Sequence, residues 1–156
     1  MKKMNRRQFV QTTAAAAAIP ATLFGQAPAV KTTSIKPVVV ASNNGNKYKN
    51  GGSKTCVETA FAMITGGADV LDALIAGVNI VELDPEDSSV GYGGLPNADG
   101  AVQLDSCCMH GPKKRAGGVA GIEGVRPPSQ VAQMGMDLTD HPLLVGQVAP
   151  DFARNM

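Results

Sequence analysis

One short loop, residues 88–94 with the sequence SSVGYGG, has the composition of a segment that could contact a ligand. Two hydroxyl side chains lie beside three glycines and one aromatic ring. Glycine allows a backbone to come close to another backbone or to a ligand. Composition alone would make the same residues an ordinary connecting loop. Close contact with a ligand is therefore one of two interpretations of this loop.

Other polar residues are weaker candidates for chemistry. Four carboxylates near the end of a predicted helix could bind a cation, but they lack the spacing and central glycine of a calcium loop, so surface charge is expected. These are Glu82, Asp84, Glu86 and Asp87. Neither His110 nor His141 lies at metal-ligand spacing from a Cys, Asp or Glu, which favours structural roles for both.

Two further patterns have simple structural explanations. Residues 51–55, GGSKT, resemble a phosphate-binding loop but lack its Gly-Lys-Ser/Thr order, so a capped helix start is predicted. The basic run 111–115 has no interleaved aromatic residue and is expected to be a solvated loop. Cys56, Cys107 and Cys108 are an odd number of cysteines, which favours buried free thiols over a disulfide framework.

Composition indicates one globular domain preceded by an export leader. The chain has 156 residues, of which 44% are hydrophobic and 17% charged, and its net charge of +1 argues against nucleic-acid binding. Residues 1–29 combine basic residues, the pair Arg6-Arg7 and an alanine-rich apolar run, which resembles a twin-arginine signal peptide. Small residues up to Ala29 predict cleavage there, and hence a periplasmic or secreted protein. Residues 30–36 are a polar lead-in.

The remaining residues, 37–156, have the pattern of an α/β layered domain. Strands are predicted at 37–42, 101–109, 117–125 and 143–146, the first two of them buried on both faces. A polar loop is predicted at 43–52. Helices are expected to begin after the caps Ser53 and Asp69, at Pro128 and at Asp151. The stripe expected to face the core of the second helix comprises Val70, Leu74, Val78 and Val81, widened by Leu71 and Ile75.

Motifs along this domain resemble one enzyme family. They are Gly66-Gly67, Leu71-Asp72-Ala73, the block SVGYGG at 89–94, Pro96-Asn97, Gly100, Leu104-Asp105, the segment LLVG at 143–146 and Phe152-Ala153. Their order and spacing resemble the N-terminal part of glycosylasparaginases, which are N-terminal nucleophile hydrolases related to isoaspartyl peptidases. The resemblance implies part of a four-layer αββα sandwich and no cofactor. It also implies a precursor that cleaves itself before a threonine, here expected beyond residue 156.

The resemblance also assigns roles to residues of this chain. It implies that Ser89 orients the threonine nucleophile and that Asn44 and Gly91 lie on the substrate side of the site. Many family members have a tryptophan where residues 42–44 read Ser-Asn-Asn, and an aspartate in place of His110. The implied partners are a small-molecule substrate, the C-terminal β-subunit half of the same precursor and further copies of the processed chain. This chain alone is expected to be inactive.

Two alternatives stay open at this point. An isoaspartyl peptidase or asparaginase of the same superfamily would act on β-aspartyl peptides. A non-catalytic periplasmic binding protein could use the same fold. The residues after position 156, and above all a threonine at the cleavage point, would discriminate between these hypotheses.

Overall fold

A computed structural model describes residues 36–156, which form a mixed α/β arrangement. The leader and nearly all of the lead-in lie outside the described residues. Within 36–156, no helix has the length and apolar character needed to cross a membrane. The elements are α1 Asn43–Lys47, α2 Cys56–Thr65, α3 Val70–Glu82, a 3-10 turn Gly91–Gly93, β1 Gln103–His110, β2 Arg115–Glu123, α4 Pro128–Leu138, β3 Leu143–Val145 and α5 Val148–Asn155.

The three strands form one sheet, which α4 covers on one face. β1 pairs antiparallel with β2, and β2 pairs parallel with β3, so the strand order is β1-β2-β3. A Cβ at Gly117 would lie 2.2 Å from the carbonyl oxygen of Ala132, so α4 can approach β2 closely only because a glycine is there. The core between sheet and helices contains Val119, Ile122, Val131, Ala132, Met136 and Leu144.

The predicted helices are present, with one change of cap and with α5 beginning at Val148 rather than at Asp151. Thr55, rather than Ser53, caps α2 and forms a capping box with Glu58. Gly66 ends α2 as predicted. The Asp69 carboxylate accepts hydrogen bonds from two backbone N–H groups in the first turn of α3, as its predicted cap role requires.

The buried face of α3 is rotated from the predicted stripe. Leu71, Ile75 and Val81 are buried as predicted. Val70, Leu74 and Val78 are exposed, whereas the small residues Ala73 and Gly77 are buried. A Cβ at Gly77 would lie 2.6 Å from the carbonyl oxygen of Cys56, so α2 packs against this small-residue side of α3.

Three expectations about strands are wrong, namely a strand at 37–42, burial of both faces of β1 and full burial of β3. Residues 37–42 form no strand, and Val38 and Val40 are 77% and 86% exposed, because nothing within residues 36–156 pairs with this segment. Asn43–Lys47 forms a short helix instead of a loop. β1 is buried on one face only, the face that α4 covers, and its opposite face is open. β3 likewise buries only Leu144.

His110 and two of the three cysteines are buried in the part of the chain that the structure describes. His110 is buried, and its Nδ1 accepts a hydrogen bond from the Lys113 N–H, so Nε2–H donates to Asp69 Oδ2 at 2.9 Å. This hydrogen bond from His110 holds the pKa of Asp69 below its usual value. Cys56 and Cys108 are buried free thiols, but Cys107 is exposed on the open face of β1, contrary to the expectation for it.

Candidate functional site

Asn44, Ser89 and Gly91, the three predicted site residues, line one cleft with a volume of about 540 Å³. One wall is the extended segment at 39–42 together with α1. The opposite wall is the first half of β1, and the exposed side of α3 forms part of the lining. Neither histidine of the chain lines the cleft. The structure therefore brings the three residues together, and their roles stay predictions.

Asn44 has a fixed orientation in the cleft. Its Oδ1 accepts hydrogen bonds from the Gly45 N–H, at 2.9 Å, and from the Ser42 hydroxyl. Its Nδ2 therefore faces the loop and donates to Ser89 Oγ at 3.2 Å. Helix α1 thus presents a half-buried amide to the hydroxyl of the loop.

Ser89 is exposed to the cleft, and hydrogen bonds to the buried Asp87 carboxylate fix its position. The Asp87 Oδ1 accepts hydrogen bonds from the Ser89 hydroxyl at 2.5 Å, from the Ser89 N–H at 2.6 Å and from the Val90 N–H at 3.3 Å. Burial acts to raise the pKa of Asp87, but the hydrogen bonds, chiefly those from Ser89, outweigh it and hold the pKa below its usual value. Asp87 is therefore a carboxylate that organises the loop.

The expectation of surface charge is wrong for three of the four carboxylates near this loop. Glu82, Asp84 and Asp87 are 4%, 6% and 1% exposed, and only Glu86 lies on the surface. Asp84 accepts hydrogen bonds from the Asn50 N–H at 2.8 Å and the Glu86 N–H at 3.0 Å. The signal that could have identified the two aspartates is their position at the start of turns, where an Asp side chain accepts from the backbone two residues on.

The glycines of the loop are required by close backbone contacts. Gly91 has φ of +62°, and a Cβ there would lie 2.1 Å from the carbonyl oxygen of Glu82. A Cβ at Gly93 would lie 2.2 Å from the carbonyl oxygen of Asp87. The ring of Tyr92 is covered by the Arg126 guanidinium, 3.1 Å from the ring centroid. The loop is thus packed against the end of α3 and is fixed in place.

The site offers hydrogen-bonding groups and no complete catalytic pair. Across residues 36–156, His, Cys, Asp and Glu side chains form no cluster of three that could hold a metal ion. The Ser89 hydroxyl and the Asn44 amide line the cleft. No histidine lines it that could act as a base for the Ser89 hydroxyl. These groups can orient a reacting group that reaches the cleft from elsewhere.

Comparison with known proteins identifies the family. The sequence profile described as "Asparaginase" matches residues 32–156. The chain therefore belongs to this asparaginase family, as the motifs around residues 89–94 indicate.

The individual relatives are longer proteins. The chain is 42% identical over 123 residues to an N(4)-(beta-N-acetylglucosaminyl)-L-asparaginase of Elizabethkingia miricola, covering 79% of the chain and 34% of the relative. It is 32% identical over 127 residues to an isoaspartyl peptidase/L-asparaginase of Rattus norvegicus, with coverage of 76% and 38%. A plant-type L-asparaginase of Pyrococcus horikoshii is 39% identical over 105 residues, with coverage of 67% and 34%. The chain thus spans little more than a third of these proteins.

Proposed function

We propose that this chain is the N-terminal part of an amidohydrolase that cleaves the side-chain amide of asparagine, with glycosylated asparagine as the leading substrate. The observation that carries the proposal is the cleft in which the Asn44 amide and the Ser89 hydroxyl meet. Family membership supports the reaction class. The nucleophile is proposed to be a threonine beyond residue 156, at the start of a β-subunit released by self-cleavage.

The unpaired edge of β1 favours the pairing of a further strand from the proposed β-subunit. β1 pairs only with β2 among the described strands, so its other edge has free hydrogen-bonding groups. Leu104 and Ser106 of β1 face the extended segment 39–42 across the cleft. A strand that begins with the threonine would pair in this space and bring its first residue to Ser89.

The face of the sheet opposite α4 favours the packing of a second sheet. Met109, Leu143 and Val145 project from the face opposite α4 and are 75%, 55% and 55% exposed. Exposed apolar residues on one face of a sheet usually pack against another layer. A second sheet on this face, with its own helices, would complete the four-layer αββα sandwich.

The proposed reaction proceeds through an ester. The threonine hydroxyl attacks the amide carbon of the substrate, its proton passes to the free α-amine of the same threonine, and the amide nitrogen departs with a proton. Water then hydrolyses the ester and restores the hydroxyl. In this scheme Ser89 orients the nucleophile and Asn44 and Gly91 line the substrate side.

A second candidate function is hydrolysis of β-aspartyl peptides. Residues 42–44 include two asparagine amides where many glycosylasparaginases have a tryptophan indole, and this difference changes which substrates fit the cleft. One relative is named isoaspartyl peptidase/L-asparaginase. We further propose that the leader 1–29 directs export to the periplasm or medium, and that the processed chains form homo-oligomers.

Expression of the complete gene product tests the proposal. Mass spectrometry should find two chains, the second beginning with threonine. Assays with N-acetylglucosaminyl-asparagine and with a β-aspartyl dipeptide should show hydrolysis, and the ratio of kcat/KM values decides between the two substrates. An uncleaved product that binds but does not hydrolyse either compound would favour the non-catalytic binding protein and contradict the proposal.

A further inference from the structure

The Ser89 hydroxyl has one proton, and its hydrogen bonds determine where that proton points. A serine hydroxyl can donate one hydrogen bond and accept two. Asn44 is a donor toward Ser89, because its Oδ1 is already occupied by the Gly45 N–H and the Ser42 hydroxyl. Asp87 Oδ1, at 2.5 Å, is therefore the acceptor for the Ser89 proton.

The Asp87 carboxylate is well suited to hold that proton. The oxygen–oxygen distance of 2.5 Å is within the range of hydrogen bonds between a hydroxyl and an ionised carboxylate. Asp87 is 1% exposed and its Oδ2 has no hydrogen-bond partner among residues 36–156. No Lys, Arg or His side chain in that range forms an ion pair with it. The loop groups that donate to Oδ1 stabilise its charge, and the Lys47 ammonium attracts it at longer range across a neighbouring cleft.

We infer that Asp87 is a positioning residue that fixes Ser89 as a hydrogen-bond acceptor toward the cleft. The Ser89 O–H donates a hydrogen bond to Asp87, and one lone pair of Ser89 Oγ accepts a hydrogen bond from Asn44. The second lone pair of Ser89 Oγ is left for a donor in the cleft. A hydroxyl or an ammonium group can use it, whereas a negatively charged oxygen cannot. This inference rests on the proposed function, in which the donor is the hydroxyl of the threonine nucleophile.

A set of four variants of the full-length protein tests the inference, together with the wild type. Asp87→Asn keeps the shape of the side chain and the acceptor for the backbone N–H groups but removes the charge. Ser89→Ala and the double variant complete a thermodynamic cycle. Asp84→Asn is the control, because Asp84 is also buried but does not contact Ser89. Its two oxygens each accept one backbone N–H group, so the asparagine keeps one of these acceptors and a loss of stability is expected.

The expected result is a loss in kcat that depends on Ser89. A hydrogen bond to a charged acceptor is roughly twice as strong as one to a neutral acceptor, so Asp87→Asn should lower kcat about tenfold, which corresponds to ~1.4 kcal/mol, with KM changed less than about twofold. In the Ser89→Ala background the same substitution should have no further effect on kcat. Asp84→Asn should leave kcat unchanged even where it lowers Tm.

Several results would overturn the inference. They are an unchanged kcat for Asp87→Asn, a full further loss in the Ser89→Ala background, or an equal loss of kcat in Asp84→Asn. If Asp87→Asn does not fold, Asp87→Ser takes its place, since a serine hydroxyl can accept the same backbone N–H in a turn. A wild-type protein without turnover would refute the proposed function and this inference with it, whereas turnover with additive losses refutes the inference alone.

Discussion

Replacement of Glu82 by glutamine should stabilise the protein at neutral pH. Glu82 is 4% exposed, and its Oε1 and Oε2 lie 3.2 Å from the N–H and 2.6 Å from the hydroxyl of Ser129. The same hydroxyl lies 2.9 Å from Asn79 Oδ1. With the Asn79 amide oxygen toward Ser129, one hydroxyl proton cannot serve both acceptors while Glu82 is ionised. A protonated Glu82 removes the conflict, because it donates to Ser129 Oγ, which then donates to Asn79.

The sign of the pH dependence follows from the pKa of Glu82. Burial raises this pKa, and the hydrogen bonds from the hydroxyl and N–H of Ser129 reduce the rise without cancelling it. A raised folded-state pKa contributes stability below the unfolded pKa, and this contribution is lost as pH rises through the folded pKa. The raised pKa therefore destabilises the folded state at neutral pH, by about 1.4 kcal/mol for each unit by which it exceeds the pKa of the unfolded chain. Glutamine has the shape and donor of the protonated acid and avoids this loss.

Urea-induced unfolding of the full-length protein between about pH 4 and about pH 8 measures the effect. Glu82→Gln should gain stability over wild type as pH rises. Glu82→Ala should lose about 2–4 kcal/mol, from an unsatisfied Ser129 N–H and a lost buried methylene. Exposed Glu86→Gln is the control and should follow wild type. A Glu82→Gln protein that is less stable than wild type at about pH 8 would refute this reasoning.

Three further predictions concern other parts of the chain. Gly117→Ala should lower the free energy of unfolding by about 1–3 kcal/mol, because the new methyl group overlaps α4. Gly118→Ala should lower it less in the same urea titration, because a Cβ there lies 3.2 Å from Leu143 Cδ1. Mass spectrometry of the exported protein should find a mature N-terminus near Ala29, and replacement of Arg6-Arg7 by Lys-Lys should block export; a cytoplasmic product that begins at Met1 would contradict both. Residues 30–156 expressed alone should associate and hydrolyse neither substrate, and a cooperative monomer with turnover would contradict this expectation.

The elements predicted well are those with local determinants. Asp69 caps α3 through its own first turn, and Gly66 ends α2. Pro128 begins α4 as predicted, because its missing N–H has no partner to lose in the first turn of a helix. β1 and β2 likewise match the strands predicted at 101–109 and 117–125, which a polar connection separates. In each case, the residues that decide the outcome lie within a few positions of one another.

The features that sequence patterns missed depend on distant residues. The burial of Glu82 is set by Ser129, 47 positions later, whose N–H and hydroxyl both bond to its carboxylate. The rotation of the buried face of α3 results from the approach of α2 at Gly77. A hydrophobicity pattern identifies which residues are apolar, but it does not specify which side of a helix its neighbour will contact.

The unpaired segment 37–42 and the open edge of β1 have a common physical explanation in the proposed function. Val38 and Val40 have the β-branched pattern of a buried strand yet are exposed. Leu74 and Val78 have the spacing of a core stripe yet lie at the exposed margin of the same cleft. The mismatches at Val40, Leu74 and Val78 meet at one place, the cleft that Ser89 also lines. A strand from the proposed β-subunit would cover both sets of side chains and pair with β1, so the apolar pattern and the position of Ser89 favour the same location for the nucleophile.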